Sequence, residues 1–218
     1  MTAGSMGGAS NGAPSRALRT VVAALVLAAS LACADVGGAQ TLSEPESLAG
    51  RLLVALPEMP DPRFAETVIY LVEHDSTGAM GLVINRPMGT LPLAELLKGL
   101  NIEGQAVGGD IRLYYGGPVE NGQGFVLHSP DYVGKGTRVV PDGLALTADP
   151  EIVRDIAAGV GPKQSLFVFG YAGWSPGQLE AEIAEGGWIT VPADDTLVFG
   201  GDNKHKWRDA MARRSINL

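Results

Sequence analysis

The chain carries the sequence EHDSTGAMGLVINRP at residues 73–87, which is the most informative segment for the architecture. Small and polar residues at positions 75–78 favour a tight turn, and the segments on either side are rich in β-branched and apolar residues. The pattern predicts a β-hairpin with strands over residues 67–74 and 79–85. Polar side chains stand where these strands end, so the hairpin also supplies candidate site residues.

The rest of the chain predicts more strands than helices. The strands are expected at residues 50–56, 112–115, 124–128, 137–140, 144–147, 165–171 and 188–191. Helices are expected at residues 93–100, from Asp149-Pro150 to Gly159, after Ser175 and at residues 203–213. Because the strands cluster early and do not alternate with helices, an α+β fold is favoured over a doubly wound parallel sheet.

Composition argues against one large class of function, nucleic-acid binding. The chain has 218 residues, of which 45% are hydrophobic and 18% are charged, as in ordinary globular proteins. Its 24 acidic residues outnumber the 16 basic ones, for a formal charge of −8. An acidic surface repels phosphate backbones, so direct nucleic-acid binding is disfavoured and protein or small-molecule partners are expected.

The N-terminus has the three parts of a secretory signal peptide. Arg16 and Arg19 precede an apolar run at residues 20–32, and Ala32-Cys33-Ala34 forms a small-x-small cleavage site. The run is shorter than the roughly 20 residues that a transmembrane helix needs, so none is expected in the mature chain. We predict a signal peptide at residues 1–34, a linker at 35–47 and a single domain at 48–218. The protein is then periplasmic or secreted; the alternative is a mis-called start codon before a cytoplasmic protein.

Cys33 is the only cysteine of the chain. It is either lipidated or removed with the signal peptide. Leu31 stands at the second position before it, whereas lipoprotein signals usually have leucine at the third. Cleavage after Ala34 would leave no thiol, which would exclude disulfides, cysteine nucleophiles and cysteine-ligated metals from the mature protein.

The sequence GWSPG at residues 173–177 matches the G-x-S-x-G pattern of a hydrolase nucleophile elbow. Asp194, Asp195 and His205 follow Ser175 in the order that a catalytic triad would have. However, the oxyanion hole of such an elbow needs the N–H of the residue after the nucleophile, and Pro176 has none. We therefore interpret Ser175 as the cap of the following helix, with Gln178 reaching back. A serine hydrolase using Ser175 is the alternative.

His74 and His128 both end predicted strands and could meet at one rim. With Glu73 or Asp75 they would offer a divalent metal or small-anion site, the second alternative function. The histidines have no fixed ligand spacing, and hydrogen-bonding roles at strand ends are favoured, so no metal or cofactor is predicted. His128 and Ser129 are neighbours on a strand and point to opposite faces, so His128 is not expected to activate Ser129.

Four further residues are candidate binding residues. Arg86 could clamp a carboxylate or phosphate, although pairing with a nearby acid, such as Glu73 across the hairpin, is favoured. Asn85 is expected to satisfy loop backbone. Tyr171 and Trp174 could form an aromatic ligand wall, whereas aromatic residues beside a buried strand usually belong to the core.

Several motifs together resemble the AlgH-like (YqgE) family over residues 48–199. They are MPDPRF at 59–64, VIYLVEH at 68–74, GAMGLVINRP at 78–87, GGPV at 116–119, GFVLHS at 124–129, GYAGW at 170–174 and GQLE at 177–180. The resemblance implies a single α+β domain whose mixed, bifurcated β-sheet forms a pseudo-barrel with flanking helices. It also implies a regulatory or binding domain, named for a link to alginate production, with protein partners and without an established reaction. A signal peptide would be a departure from this cytoplasmic family.

Overall fold

The computed structural model describes residues 46–104, 108–141 and 143–216. The chain separates into two units, Met1–Leu42 and Ser43–Leu218, and every described residue belongs to the second. The predicted signal peptide and all but the last two residues of the predicted linker therefore lie outside the described residues. Within those three ranges, no helix has both the length and the apolar character needed to cross a membrane.

The described part of the chain contains ten strands and five α-helices. The strands are β1 Arg51–Ala55, β2 Val68–Asp75, β3 Gly78–Val83, β4 Pro87–Pro92, β5 Asp110–Tyr115, β6 Val119–His128, β7 Thr137–Val139, β8 Ala145–Thr147, β9 Ser165–Trp174 and β10 Trp188–Pro192. The helices are α1 Leu93–Gly99, α2 Glu151–Ala157, α3 Gln178–Ala184, α4 Asp195–Phe199 and α5 Lys206–Ala212, with short 3₁₀ turns at Pro62–Phe64 and Arg213–Ile216.

The sheet divides at strand β9. Along one edge of β9 runs β6, which continues to β8 and β7. Along the other edge, the first half of β9 pairs with β5 in parallel, at Phe167 to Phe169. The second half pairs with β3 antiparallel, at Ala172 to Trp174. One branch then continues through β2 and β1 to β10, and the other ends at β4. The predicted α+β fold, with a mixed, bifurcated sheet curled into a half-barrel, is confirmed.

Three glycines make this division possible. Gly170 has a φ of +72°, and a Cβ there would lie 2.6 Å from the Gly117 carbonyl oxygen. Gly116 donates its N–H to Phe169 on β9 and accepts the N–H of Val83 at the end of β3, so its backbone bridges the two branches. Backbones this close leave no space for side chains, which is why glycine is required here.

Helices cover both faces of the β1–β2–β3 branch, and alternate residues of each strand belong to two separate hydrophobic clusters, one on each face. One cluster includes Leu52, Val54 and Tyr70, and packs beneath α4 and α5. The opposite cluster includes Leu53, Ile69 and Leu179, and packs beneath α3. A third cluster joins α1 and α2 to β5, β6 and β9. The β1–β2–β3 branch is therefore a layer buried on both sides.

The helices and strands predicted from the sequence are present, but the sequence did not predict two further elements, β4 and α4. Strand β4 begins and ends in proline and is mostly exposed, so it lacks the alternating apolar pattern that identifies a strand. Helix α4 has five residues, too few for a helical period, although Asp194 caps it by accepting the N–H of Leu197 at 2.8 Å. Strands β6 and β9 are longer than predicted, because pairing across the fork extends them.

Replacing Gly117 by alanine is expected to destabilise the fold strongly. Its Cβ would lie well under 3.0 Å from the Tyr171 carbonyl group, which is backbone and cannot move aside. We expect the free energy of unfolding to fall by about 3 kcal/mol or more in urea denaturation. Gly122→Ala, on the following strand β6 with open space around its Cβ, is the matched control and should change stability little. Equal stability of the two variants would contradict this role of Gly117.

Candidate functional site

A cavity of about 590 Å³ lies between the start of the β1–β2 connection, strand β9 and helix α3. Its lining includes Phe64, Trp174, Glu182, Trp188 and Pro118, the last of which directly follows the fork glycines. The cavity falls within the size range of small-molecule and side-chain binding sites. Trp174 is the one candidate residue from the sequence that lines it.

Glu182 on α3 joins the two tryptophans of the cavity. Its Oε2 accepts the indole N–H of Trp174 at 2.9 Å and that of Trp188 at 2.8 Å. Its Oε1 accepts the side-chain amide of Gln178 at 2.9 Å. Buried indole N–H groups require acceptors, so this one carboxylate holds both rings and fastens α3 to the sheet.

The aromatic rings of the cavity stand at steep angles to one another. Trp188 lies between the others: its ring centroid is 5.6 Å from Phe64 at 66°, and 6.1 Å from Trp174 at 81°. Edge-to-face contacts of this kind are favourable and leave non-parallel ring walls. The guanidinium of Arg63 already lies 5.9 Å from the centroid of Phe64, in a cation–π contact.

The lining of the cavity is acidic. It contains four carboxylates, from Glu58, Asp61, Glu182 and Glu185, and one cationic group, Arg63. Arg63 pairs with Asp61 at 2.7 Å, and this hydrogen bond holds the pKa of the Asp61 carboxyl below its usual range. Among the residues that the structure describes, the other three carboxylates form no ion pair. The cavity therefore carries uncompensated negative charge.

The residues of the hydrolase alternative do not assemble into a triad. Asp194 caps α4 and pairs with Arg213, while His205 bonds to Asp202 at 2.6 Å. Neither forms a hydrogen bond with Ser175 within the described part of the chain. The expected cap is also partly wrong: Gly177, with a φ of +75°, is the N-cap of α3, and the Ser175 hydroxyl does not cap the helix. Gln178 does reach back, accepting the Ser175 N–H at 3.1 Å.

His74 and His128 have separate partners instead of a shared metal site. The Nδ1 atom of His74 accepts the Leu48 N–H, and its Nε2–H donates to Glu180, each at 3.0 Å. His74 thus holds the start of the domain and α3 against β2. Within the described ranges, no group of three or more histidine, cysteine, aspartate or glutamate residues is placed to hold a metal ion.

The other candidates have structural partners. Asn85 satisfies loop backbone as expected, accepting the Val68 N–H at 3.0 Å and donating to the Glu66 carbonyl at 2.9 Å. The expected pairing of Arg86 with a nearby acid such as Glu73 is wrong. Arg86 donates to the Ala65 carbonyl at 3.0 Å, and Glu73 pairs with Arg138 across the curled sheet.

Tyr171 packs against the core, with its ring edge-on to Phe125 at 6.2 Å. It is therefore a core residue, whereas Trp174 both packs in the core and lines the cavity. Sequence reasoning missed Phe64, Glu182 and Trp188. The available signal was the pair of indole N–H groups, which need an acceptor once buried, but no local pattern identifies Glu182 as that acceptor.

His128 is fully buried and bonded at both ring nitrogens. Its Nδ1 lies 2.8 Å from the Ser129 carbonyl oxygen and must donate, so in the neutral ring Nε2 accepts the Thr147 hydroxyl at 3.0 Å. That hydroxyl also lies 2.7 Å from the hydroxyl of Thr137. Burial lowers the pKa of His128 below its ordinary value of 6.5.

This shift predicts a loss of stability at acid pH. Between the folded pKa and 6.5 the unfolded chain binds more protons, so stability falls as pH drops through that window, by up to about 1.4 kcal/mol per pH unit. His128→Gln keeps a neutral side chain without the titration. Denaturation between about pH 7 and pH 5 should therefore show a shallower decline for the variant. Identical slopes would contradict the assignment of a neutral His128.

Comparison with known proteins identifies the family. The AlgH-like family model matches residues 52–218. The chain is 47% identical to a UPF0301 protein of Methylococcus capsulatus over 169 residues, covering 78% of this chain and 92% of that protein. It is 47% identical to a UPF0301 protein of Rhodospirillum rubrum over 170 residues, covering 78% and 88%.

Solved structures agree with this assignment. The solution structure of the AlgH protein from Pseudomonas aeruginosa matches with a TM-score of 0.67 at 44% identity, covering 81% of this chain and 93% of that one. A crystal structure of a Corynebacterium diphtheriae protein matches in fold with a TM-score of 0.60 at 24% identity, covering 79% and 90%. The chain belongs to the AlgH-like family.

Proposed function

We propose that this protein is a non-catalytic binding domain that acts on partner proteins through the cavity at Trp174, Glu182 and Trp188. The observation that carries the proposal is the construction of that cavity. A carboxylate fixes two indole rings at its wall, and exposed residues such as Glu58 and Glu185 form its rim. Rigid aromatic rings next to polar groups are typical of sites that anchor a partner side chain.

The alternatives have less support. Among the described residues, the Ser175 hydroxyl forms no hydrogen bond with a base or acid that could activate it as a nucleophile. Proline follows it, so its turn also lacks the backbone N–H that would stabilise an oxyanion. His74 and His128 are each occupied by backbone and side-chain partners. A binding role requires neither an activated nucleophile nor a metal.

The binding proposal predicts that blocking the cavity abolishes partner recognition. In a Cys33→Ser background of the full chain, Glu185→Cys would be labelled with a bulky thiol reagent after folding. Peptides selected from a random display library against the unlabelled protein should then bind about tenfold more weakly or worse. Glu103→Cys, labelled in the same way at an exposed site outside the cavity, is the matched control.

Two results would contradict the proposal. Selected peptides that bind equally well to both labelled proteins would place recognition elsewhere. Labelling of folded protein by a fluorophosphonate, lost in Ser175→Ala, would instead support the hydrolase alternative.

We also propose that the domain is exported, on the strength of the three-part N-terminal signal. The intact mass of the protein purified from its native host should then correspond to a chain that starts at Asp35. A lipid-modified Cys33 would mean a membrane-anchored protein. An uncleaved chain, or one started internally, in the cytoplasm would overturn export.

A further inference from the structure

The cavity has two properties that together select one ligand class: acidic charge and aromatic walls. Glu182 sits among the rings, with both carboxylate oxygens bonded to neutral N–H donors. Neutral donors solvate a carboxylate without cancelling its charge, so its negative potential remains in the cavity. Glu58 and Glu185 add two further carboxylates at the exposed rim.

Aromatic walls attract cations as well. The face of an aromatic ring carries partial negative charge, and guanidinium or ammonium groups pack on it favourably, more so when water is displaced. Phe64 is half-buried, Trp174 is 8% exposed and Trp188 only 2%, so Phe64 and the accessible part of Trp174 supply the aromatic surface that a ligand can contact. The position of Arg63 over Phe64 at 5.9 Å is an internal example of the same contact.

Anionic and neutral apolar ligands fit less well. An anion would face the unpaired carboxylates, while the single cation of the lining is already paired with Asp61. A neutral apolar group would leave the carboxylate charge of the cavity uncompensated as water is displaced. An organic cation satisfies the carboxylates and the rings together.

We propose that the cavity binds a basic side chain, arginine or lysine, presented by a segment of the partner protein. This inference rests on the proposed binding function and adds the chemistry of the anchor. The long apolar stem of such a side chain would lie along Phe64 and the accessible part of Trp174, and its charged head would reach Glu58 or Glu185 at the rim.

The test compares two peptides that differ in charge alone. Acetyl-Gly-Arg-Gly-amide and its citrulline counterpart have nearly the same shape, but citrulline is neutral. The full chain, labelled with ¹⁵N, would be titrated with each while the indole N–H signals of Trp174 and Trp188 are followed by NMR. We expect the arginine peptide to shift both signals and to bind about tenfold more tightly than the citrulline peptide. We also expect its affinity to fall as salt rises.

Charge variants complete the test without disturbing the fold. Glu58→Gln together with Glu185→Gln removes two exposed rim carboxylates and leaves the Glu182 bonds in place. This variant should weaken the arginine peptide about fivefold or more, while Glu103→Gln, outside the cavity, should leave its affinity unchanged.

The outcomes separate the anchor from the binding function. Equal affinity for the two peptides, or no shift of either indole signal by the arginine peptide, would overturn the basic-side-chain inference. In either case the experiment with labelled Glu185→Cys still tests whether the cavity binds partners, because the library peptides are selected without assuming a basic residue. If labelling at position 185 has no effect while the arginine peptide shifts the indole signals, the cavity binds cations but is not where partner proteins are recognised.

Discussion

The backbone contact between Gly170 on β9 and the Gly116-Gly117 turn divides the sheet and thereby fixes the positions of both branches. Two backbones meet there without side chains between them, and β9 changes partners from β5 to β3 at that point. A Cβ on any of the three glycines would push the strands apart. The fork therefore exists only because these positions are glycine, and the curl of the half-barrel follows from it.

The fork also positions the candidate site. Downstream of it, Ala172 to Trp174 pair with β3, which brings the indole of Trp174 beside Trp188. On the other side of the contact, the Gly116-Gly117 turn is followed directly by Pro118, which lines the cavity. Helix α3 then closes the cavity by placing Glu182 between the two indoles. The glycine contact that divides the sheet therefore also positions Trp174 and Pro118 in the lining of the cavity.

Local patterns predicted the hairpin at residues 73–87, most of the strands and the turn that leads into α3, because each is determined by neighbouring residues. Asn85 was predicted correctly as a loop-backbone partner for the same reason: its partners, Glu66 and Val68, lie where the loop enters the first strand of the same hairpin. The partner of Arg86 was predicted wrongly because a long side chain can reach several acceptors. Which acceptors lie within its reach depends on how the sheet curls. That curl brings Arg138 to Glu73 and leaves Arg86 to the Ala65 carbonyl.

The class of fold, the acidic character and the positions of the turns could be predicted from the sequence, since they follow from composition and from spacings within an element. Which distant side chains meet could not be predicted in this way, because it depends on how the whole chain folds. Phe64, Trp174, Glu182 and Trp188 come from four different segments, and no periodicity relates them. The physical reason is that an indole N–H donates to any acceptor that lies within hydrogen-bond distance in the folded chain. The fork in the sheet places the indoles of Trp174 and Trp188 within that distance of Glu182.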